Sequence, residues 1–218
     1  MKNKIINSEK ILSDYGNYLL THGERPKNIF VFAQENHFDE KEFYQFFSSF
    51  EHLEKEILKH FFQKSLELSL EIEGYEDMSA KERLLNLYFI FFENLTMNRS
   101  LVLMILGKKN LSTLQKLHEL KSEHQKFIKT LDFNDLEILE KAKDSIKNFN
   151  EKSREEALWL HFLSIIEFWQ KDESPSFEKT DLFIEKTIDT GFEFLNNEPL
   201  KKIIALGKFL WKEKFQKS

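Results

Sequence analysis

The chain has 218 residues, among them 23 Phe but only 6 Gly, 3 Pro and no Cys, and a net charge of −5. Gly and Pro together are about 4% of the residues against ~12% in average usage, which disfavours turn-rich sandwiches, barrels and collagen-like repeats. A sequence without Cys has no disulfides, thiol nucleophiles or cysteine metal sites, and fits a reducing compartment.

With 41% hydrophobic and 32% charged residues, the chain has the material for a sizeable core under a polar surface. The opening stretch MKNKIINSEK has no apolar region of the secretory kind. The longest strictly apolar runs, such as Leu101 to Leu106, are far shorter than the ~20 residues of a bilayer span. A soluble, cytoplasmic protein is expected. The charge is uneven: residues 200–218 carry six Lys and one Glu, a local +5, so the other 199 residues sum to −10.

Apolar residues at spacings of three and four predict a first helix from about Ile5 to Leu20, closed by Gly23. Pro26 predicts a second short helix through about Asn36. Asp39 with Glu42 has the form of a capping box and opens a third, Asp39 to Phe47, before a longer one from about Phe50 to Ile72. Ser79 with Glu82 is a second such box, ahead of the buried-looking run LLNLYFIFFENL. Gly107 breaks the next helix, and others are expected at about Leu111 to Leu131 and Asn134 to Asn148. Between Ala157 and Trp169 only His161, Ser164 and Glu167 are polar, so the rest of that helix must be covered by the core or by a second subunit. Pro175 and Pro199 bracket a helix from about Ser176 to Leu195, and a last one runs from Leu200 to about Phe215. Nine or ten helices and no strand are expected.

Three short helices followed by a long one form the helix-turn-helix layout. The stretch HGERPKNIFVFAQENHFDEKEFYQFFSSFEHLEKEIL resembles the tetracycline-repressor (TetR) family in its spaced Gly23, Phe32-Ala33, Tyr44 and Phe47, and Glu51 and Leu53. The resemblance implies an all-α protein with a helix-turn-helix module over residues 1–48. A larger domain over 49–218 would hold an apolar ligand pocket and a four-helix dimer interface. The helices of about Arg154 to Trp169 and Ser176 to Leu195 would form that interface, burying Leu158, Phe162, Phe183 and Ile188 between subunits.

The chain departs from the family pattern where DNA would be met. His37 replaces the usual turn glycine, and φ > 0 is uncommon for His. Phe50 stands where the family usually has Lys. Residues 35–56 contain seven acids and two Lys, an unfavourable surface for a phosphate array. Lys2, Lys4, Lys10, Arg25, Lys27 and Lys41 are the nearby cations.

A second stretch, EFWQKDESPSFEKTDLFIEKTI, is similar to the C-terminal signature of the lipid-binding accessory protein family of ubiquinone biosynthesis. The matching residues are Phe168, Trp169, Asp172, Ser174, Pro175, Phe177, Thr180, Phe183 and Ile184. That likeness implies an isoprenoid lipid as ligand and a terminal helix that addresses the membrane. Leu200, Ile203, Ile204, Gly207, Leu210 and Trp211 form a stripe flanked by lysines, which either docks on the core or meets a membrane or partner. Lys201, Lys202, Lys208, Leu210 and Trp211 are the candidate membrane contacts.

Glycines at only 16, 23, 74, 107, 191 and 207 give no phosphate-cradling loop and no nucleophile elbow. His52, Glu56 and His60 share one face of the fourth helix, which an exposed charged surface explains without a metal. His118 and His124 are expected at the surface. Tyr88, Phe89, Phe91, Phe92, Met97 and Met104 either fill the core or line a cavity suited to a chain-like apolar ligand. His161 is either a hydrogen-bonded core or interface residue or a polar contact to such a ligand.

The expectation is thus a non-enzymatic, cofactor-free, TetR-like homodimer that binds an apolar small molecule or an isoprenoid or acyl lipid. Its candidate ligand-binding residues are Tyr88, Phe89, Phe92, Met97, Met104 and His161. The alternative is a ligand-responsive repressor that meets operator DNA through Lys27, Lys41, Tyr44 and Gln45.

Overall fold

A computed structural model describes residues 6–107, 116–133 and 144–196, with side chains of 144–151, 153 and 193–196 left aside. The described residues form nine α-helices: α1 Ser8–His22, α2 Ile29–Glu35, α3 Glu40–Phe43, α4 Phe50–Leu70, α5 Ala80–Met97, α6 Arg99–Leu106, α7 His118–Thr130, α8 Asp144–Lys171 and α9 Glu178–Asn196. Two single 3-10 turns, Tyr75–Asp77 and Pro175–Phe177, complete the set, and there is no strand among these residues. The protein is all-α.

The helix ends follow local chemistry. Asn7 caps α1 by accepting from the Lys10 N–H at 2.8 Å, and Gly23 closes it in the left-handed conformation. Ser79 and Glu82 form the expected reciprocal box ahead of α5, with the Glu82 carboxylate accepting from the Ser79 N–H at 2.8 Å. Asp39 and Glu42 do the same for α3.

Four elements differ from the sequence reading. The second helix starts at Ile29 rather than at Pro26, because Asn28 accepts from the Val31 N–H at 2.8 Å and so fixes the first turn. The third helix stops at Phe43 and continues as turns to Phe47. The separate helix expected over 134–148 and the apolar one after it meet in a single 28-residue helix, α8, where the structure describes them. No Gly or Pro lies between Asn148 and Trp169, so nothing interrupts the backbone ladder. The helix expected at Ser176 begins at Glu178, after a 3-10 turn in which Ser176 and Phe177 have φ of 52° and 59°. The terminal helix of Leu200 to Phe215 lies outside the described residues.

Two compact units are present. The first draws on Met1–Leu68 and Phe91–His124, the second on Ser69–Ile90 and Gln125–Ser218. In the first, α6 packs on α1, and Gly16 permits the approach: a Cβ there would stand 3.1 Å from the Leu101 side chain. In the second, α9 packs on α8, with Phe168 and Phe183 stacked at 4.5 Å. Among the described residues no single helix is long and apolar enough to cross a membrane. Only α5 and α6 together would pass on length and composition, and they are bent by 92°. Leu87, Phe91, Leu95, Val102 and Ile105 of this pair are buried in the protein.

The start of α9 is held by one carboxylate. Asp172 accepts from the Ser174 N–H at 2.8 Å and hydroxyl at 2.6 Å, and from the Thr180 N–H at 2.8 Å and hydroxyl at 2.7 Å. Desolvation raises its pKa, but these hydrogen bonds outweigh that and hold it at about 2, against an ordinary 3.8. Its contribution to stability is therefore complete above pH 3.8 and is lost as pH falls through about 2. Asp172→Ala is expected to cost about 1–3 kcal/mol at neutral pH in urea unfolding, since buried donors lose their acceptor. The deficit should shrink in acid. A deficit that stays constant down to the acid limit would refute this account of the cap.

Candidate functional site

The module of α1 to α3 is built around aromatic rings. Phe32 is fully buried and meets Tyr15, Tyr18, Phe38, Phe43 and Phe50 edge to face, at centroid distances of 5.6–6.3 Å. Phe50, where the resemblance expects a lysine, turns inward and stacks on Tyr15 at 5.2 Å. His37, where the resemblance expects a turn glycine, has φ of 62°, so the turn between α2 and α3 has a left-handed residue without a glycine.

Beside this core lies an ion cluster centred on Glu54, which is 2% exposed. Arg25 donates to it through Nε and Nη2, each at 2.7 Å, and also donates to Glu51. The Tyr15 hydroxyl donates to the same carboxylate at 2.7 Å, and Lys116 pairs with it at 3.0 Å while also donating to the Ile105 carbonyl. Burial, then the neighbouring Glu54 charge, pushes the Tyr15 phenol well above its usual range. The hydrogen bonds to Glu54 raise Arg25 further still, so the guanidinium is always charged.

The candidate DNA contacts differ in setting. Lys27 and Gln45 are exposed, Tyr44 is 53% exposed, and Lys41 pairs with Asp39 at 3.4 Å. Of the other cations, Lys10 pairs with Asp14 on its own helix and Arg25 with Glu54 and Glu51. Lys2 and Lys4 lie outside the described residues.

The candidate ligand residues divide between the two units. Tyr88, Phe89 and His161 belong to the second, and Phe92, Met97 and Met104 to the first. Tyr88 and Phe92 are buried, Phe89, Met104 and His161 are half-buried, and Met97 is 69% exposed. Within the second unit, Tyr88 stacks on His161 at 6.1 Å and meets Phe162 at 5.0 Å. The Thr187 hydroxyl donates to the Phe183 carbonyl at 2.6 Å and stands 2.8 Å from His161 Nε2. The imidazole therefore donates from Nε2, which leaves Nδ1 as its acceptor. Burial lowers the His161 pKa below the ordinary 6.5 and raises that of Tyr88, so both are neutral at neutral pH.

Among the candidate interface residues, Phe162 and Ile188 are buried within the chain itself, and Leu158 and Phe183 are half-buried. Leu160 on α8 and Leu182 on α9 are large apolar residues left exposed, at 64% and 51%. The candidate membrane contacts Lys201, Lys202, Lys208, Leu210 and Trp211 lie outside the described residues. His118 is exposed as expected, but His124 is fully buried, its ring 6.1 Å from that of Phe62. It lies six residues on and so on another face of α7, the one turned inward. His52 accepts from the Ser48 N–H at 3.1 Å and stands 3.9 Å from Glu56, and no group of three metal-ligating side chains occurs among the described residues.

Sequence reasoning missed the Glu54 cluster and the role of Asp172. Glu54 carried a signal, since it follows Phe50 by four residues and precedes Ile57 by three, at a core-facing position of an amphipathic helix. Asp172, Ser174 and Thr180, matched above as a lipid-protein signature, are accounted for here by the cap of α9.

Comparison with curated proteins gave no match. The family described as tetracyclin repressor-like, C-terminal domain, matches residues 83–210, more than half of the chain. That span takes in the Tyr88, His161 and Thr187 cluster and both helices of the α8–α9 pair. The chain belongs to the tetracyclin repressor-like family.

Proposed function

We propose that this family member binds an apolar small molecule or an isoprenoid or acyl lipid without catalysis, and that its helix-turn-helix module has lost duplex recognition. The observation that carries the ligand reading is the Tyr88–His161–Thr187 cluster, a neutral polar edge set against the aromatic rings of Phe162 and Trp159. Such a wall with a few placed polar groups suits an apolar body with one hydrogen-bonding end. The loss of duplex recognition is supported by Arg25, Lys10 and Lys41 all engaging carboxylates and by Phe50 being turned inward. A homodimer through α8 and α9 is supported by Leu160 and Leu182, whose exposed side chains a second copy would cover. The basic segment of residues 200–218 would add contact with an anionic membrane.

Native mass spectrometry of the purified protein is expected to show a dimer carrying a lipid mass. Titration with farnesol or palmitate should quench Trp159, which lies 5.8 Å from Phe162. His161→Leu is expected to weaken that binding about tenfold, the equivalent of ~1.4 kcal/mol. A ligand-free protein whose fluorescence neither probe changes would overturn the ligand reading. In flotation, anionic vesicles should carry the protein, and exchange of Lys201, Lys202 and Lys208 for Glu should release it. Equal flotation of the two forms would overturn the membrane contact.

The repressor reading retains one favouring observation, the left-handed turn at His37 between α2 and α3. A gel shift on a duplex, abolished by Lys41→Glu, would establish it.

A further inference from the structure

The position of one proton decides what kind of ligand the Tyr88–His161–Thr187 cluster can hold. Three helices meet there, with Tyr88 on α5, His161 on α8 and Thr187 on α9. The Thr187 hydroxyl has a single proton, and backbone carbonyls take it: Phe183 at 2.6 Å, with Ile184 at 3.3 Å. The same hydroxyl stands 2.8 Å from His161 Nε2, so it meets the ring as an acceptor and the neutral imidazole keeps its proton on Nε2. Among the described residues Thr187 is the ring's one hydrogen-bond partner. His161 is half-buried, and its Nδ1 presents a lone pair without a proton.

A ligand group bound at Nδ1 therefore has to donate. An ether oxygen cannot. A carboxylate cannot either, and it would face the lone pair with no cation in the cluster to offset the repulsion, since the three groups are a phenol, an imidazole and a hydroxyl. Lys81, on the same helix as Tyr88, is paired with Asp189 of α9 at 2.8 Å. An ammonium can donate, but the burial that lowers the His161 pKa opposes any cation at this place. A neutral hydroxyl satisfies both the proton and the charge condition.

We propose that His161, oriented by Thr187, selects ligands that end in a neutral hydroxyl, an alcohol or phenol on an apolar body, over the corresponding carboxylates and ethers. The inference rests on the reading that this cluster is the ligand site.

Tryptophan quenching at neutral pH with three probes of one carbon skeleton tests it: farnesol, its methyl ether and farnesoic acid. Farnesol should bind about tenfold more tightly than either of the others, a difference of ~1.4 kcal/mol. His161→Leu should bring farnesol to the level of the ether and leave the ether's own affinity within about twofold. Thr187→Val removes the acceptor that fixes the proton on Nε2, so the preference for farnesol over the ether should shrink there too. Equal affinities for farnesol and its ether in the parent, or an unchanged preference in both variants, overturns the proposal and leaves the ligand reading in place. Tightest binding of farnesoic acid does the same. If none of the three probes binds, the proposal and the ligand reading fall together.

Discussion

Replacing Glu54 by alanine is expected to lower the unfolding free energy by about 3–5 kcal/mol, the range for breaking a buried ion pair from one side. One carboxylate serves Tyr15, Arg25 and Lys116, so its removal leaves a buried phenol without its acceptor and a nearly buried ammonium without its counter-charge. Glu54→Gln keeps the volume and some hydrogen bonding and should fall between the two. Arg25→Ala should cost less than Glu54→Ala, because the Arg25 side chain is 37% exposed and Lys116 still pairs with the acid. Urea unfolding followed by far-UV circular dichroism measures each value. A loss below about 1 kcal/mol for Glu54→Ala would mean that water or neighbouring groups replace the carboxylate, contrary to the arrangement described.

Phe32→Ala is expected to cost about 3–5 kcal/mol, the range for truncating a large aromatic in a packed core. The ring is the common neighbour of Tyr15, Tyr18, Phe38, Phe43 and Phe50. Besides it, α2 buries only Ala33, so a seven-residue helix would lose its main anchor. Phe32→Leu refills much of the space and should cost less. Phe30→Ala, two residues away at an exposed site, should stay within ~0.5 kcal/mol of the parent. Equal effects at positions 30 and 32 would contradict the burial pattern.

Local signals in the sequence sufficed for the all-helical class and for the caps at Gly23 and Ser79, because a left-handed closing residue or a reciprocal side-chain bond is written within four residues. The Asp172 cap reaches across eight residues and through an irregular turn, so its three polar residues read as a motif before they read as a mechanism. The Glu54 cluster was less legible because Tyr15, Arg25 and Lys116 are brought to it from distant parts of the chain. Phe50 shows the same limit from the other side. A substitution at a family lysine marked a lost cation, but its inward turn onto Tyr15 depends on packing that no local pattern states.

The two units also differ in optical properties. Of the three tryptophans, Trp159 and Trp169 are buried in the second unit, and Trp211 lies outside the described residues. In a Trp211→Phe variant, tryptophan emission is thus a selective reporter of the second unit, whereas far-UV dichroism reports helix in both. Glu54 and Phe32 lie in the first unit, so their variants will shift the emission transition only to the extent that the units unfold together. Coincident transitions by the two signals would make the chain a single cooperative system. Separated transitions would turn the placement of its tryptophans into a built-in means of weighing one unit against the other.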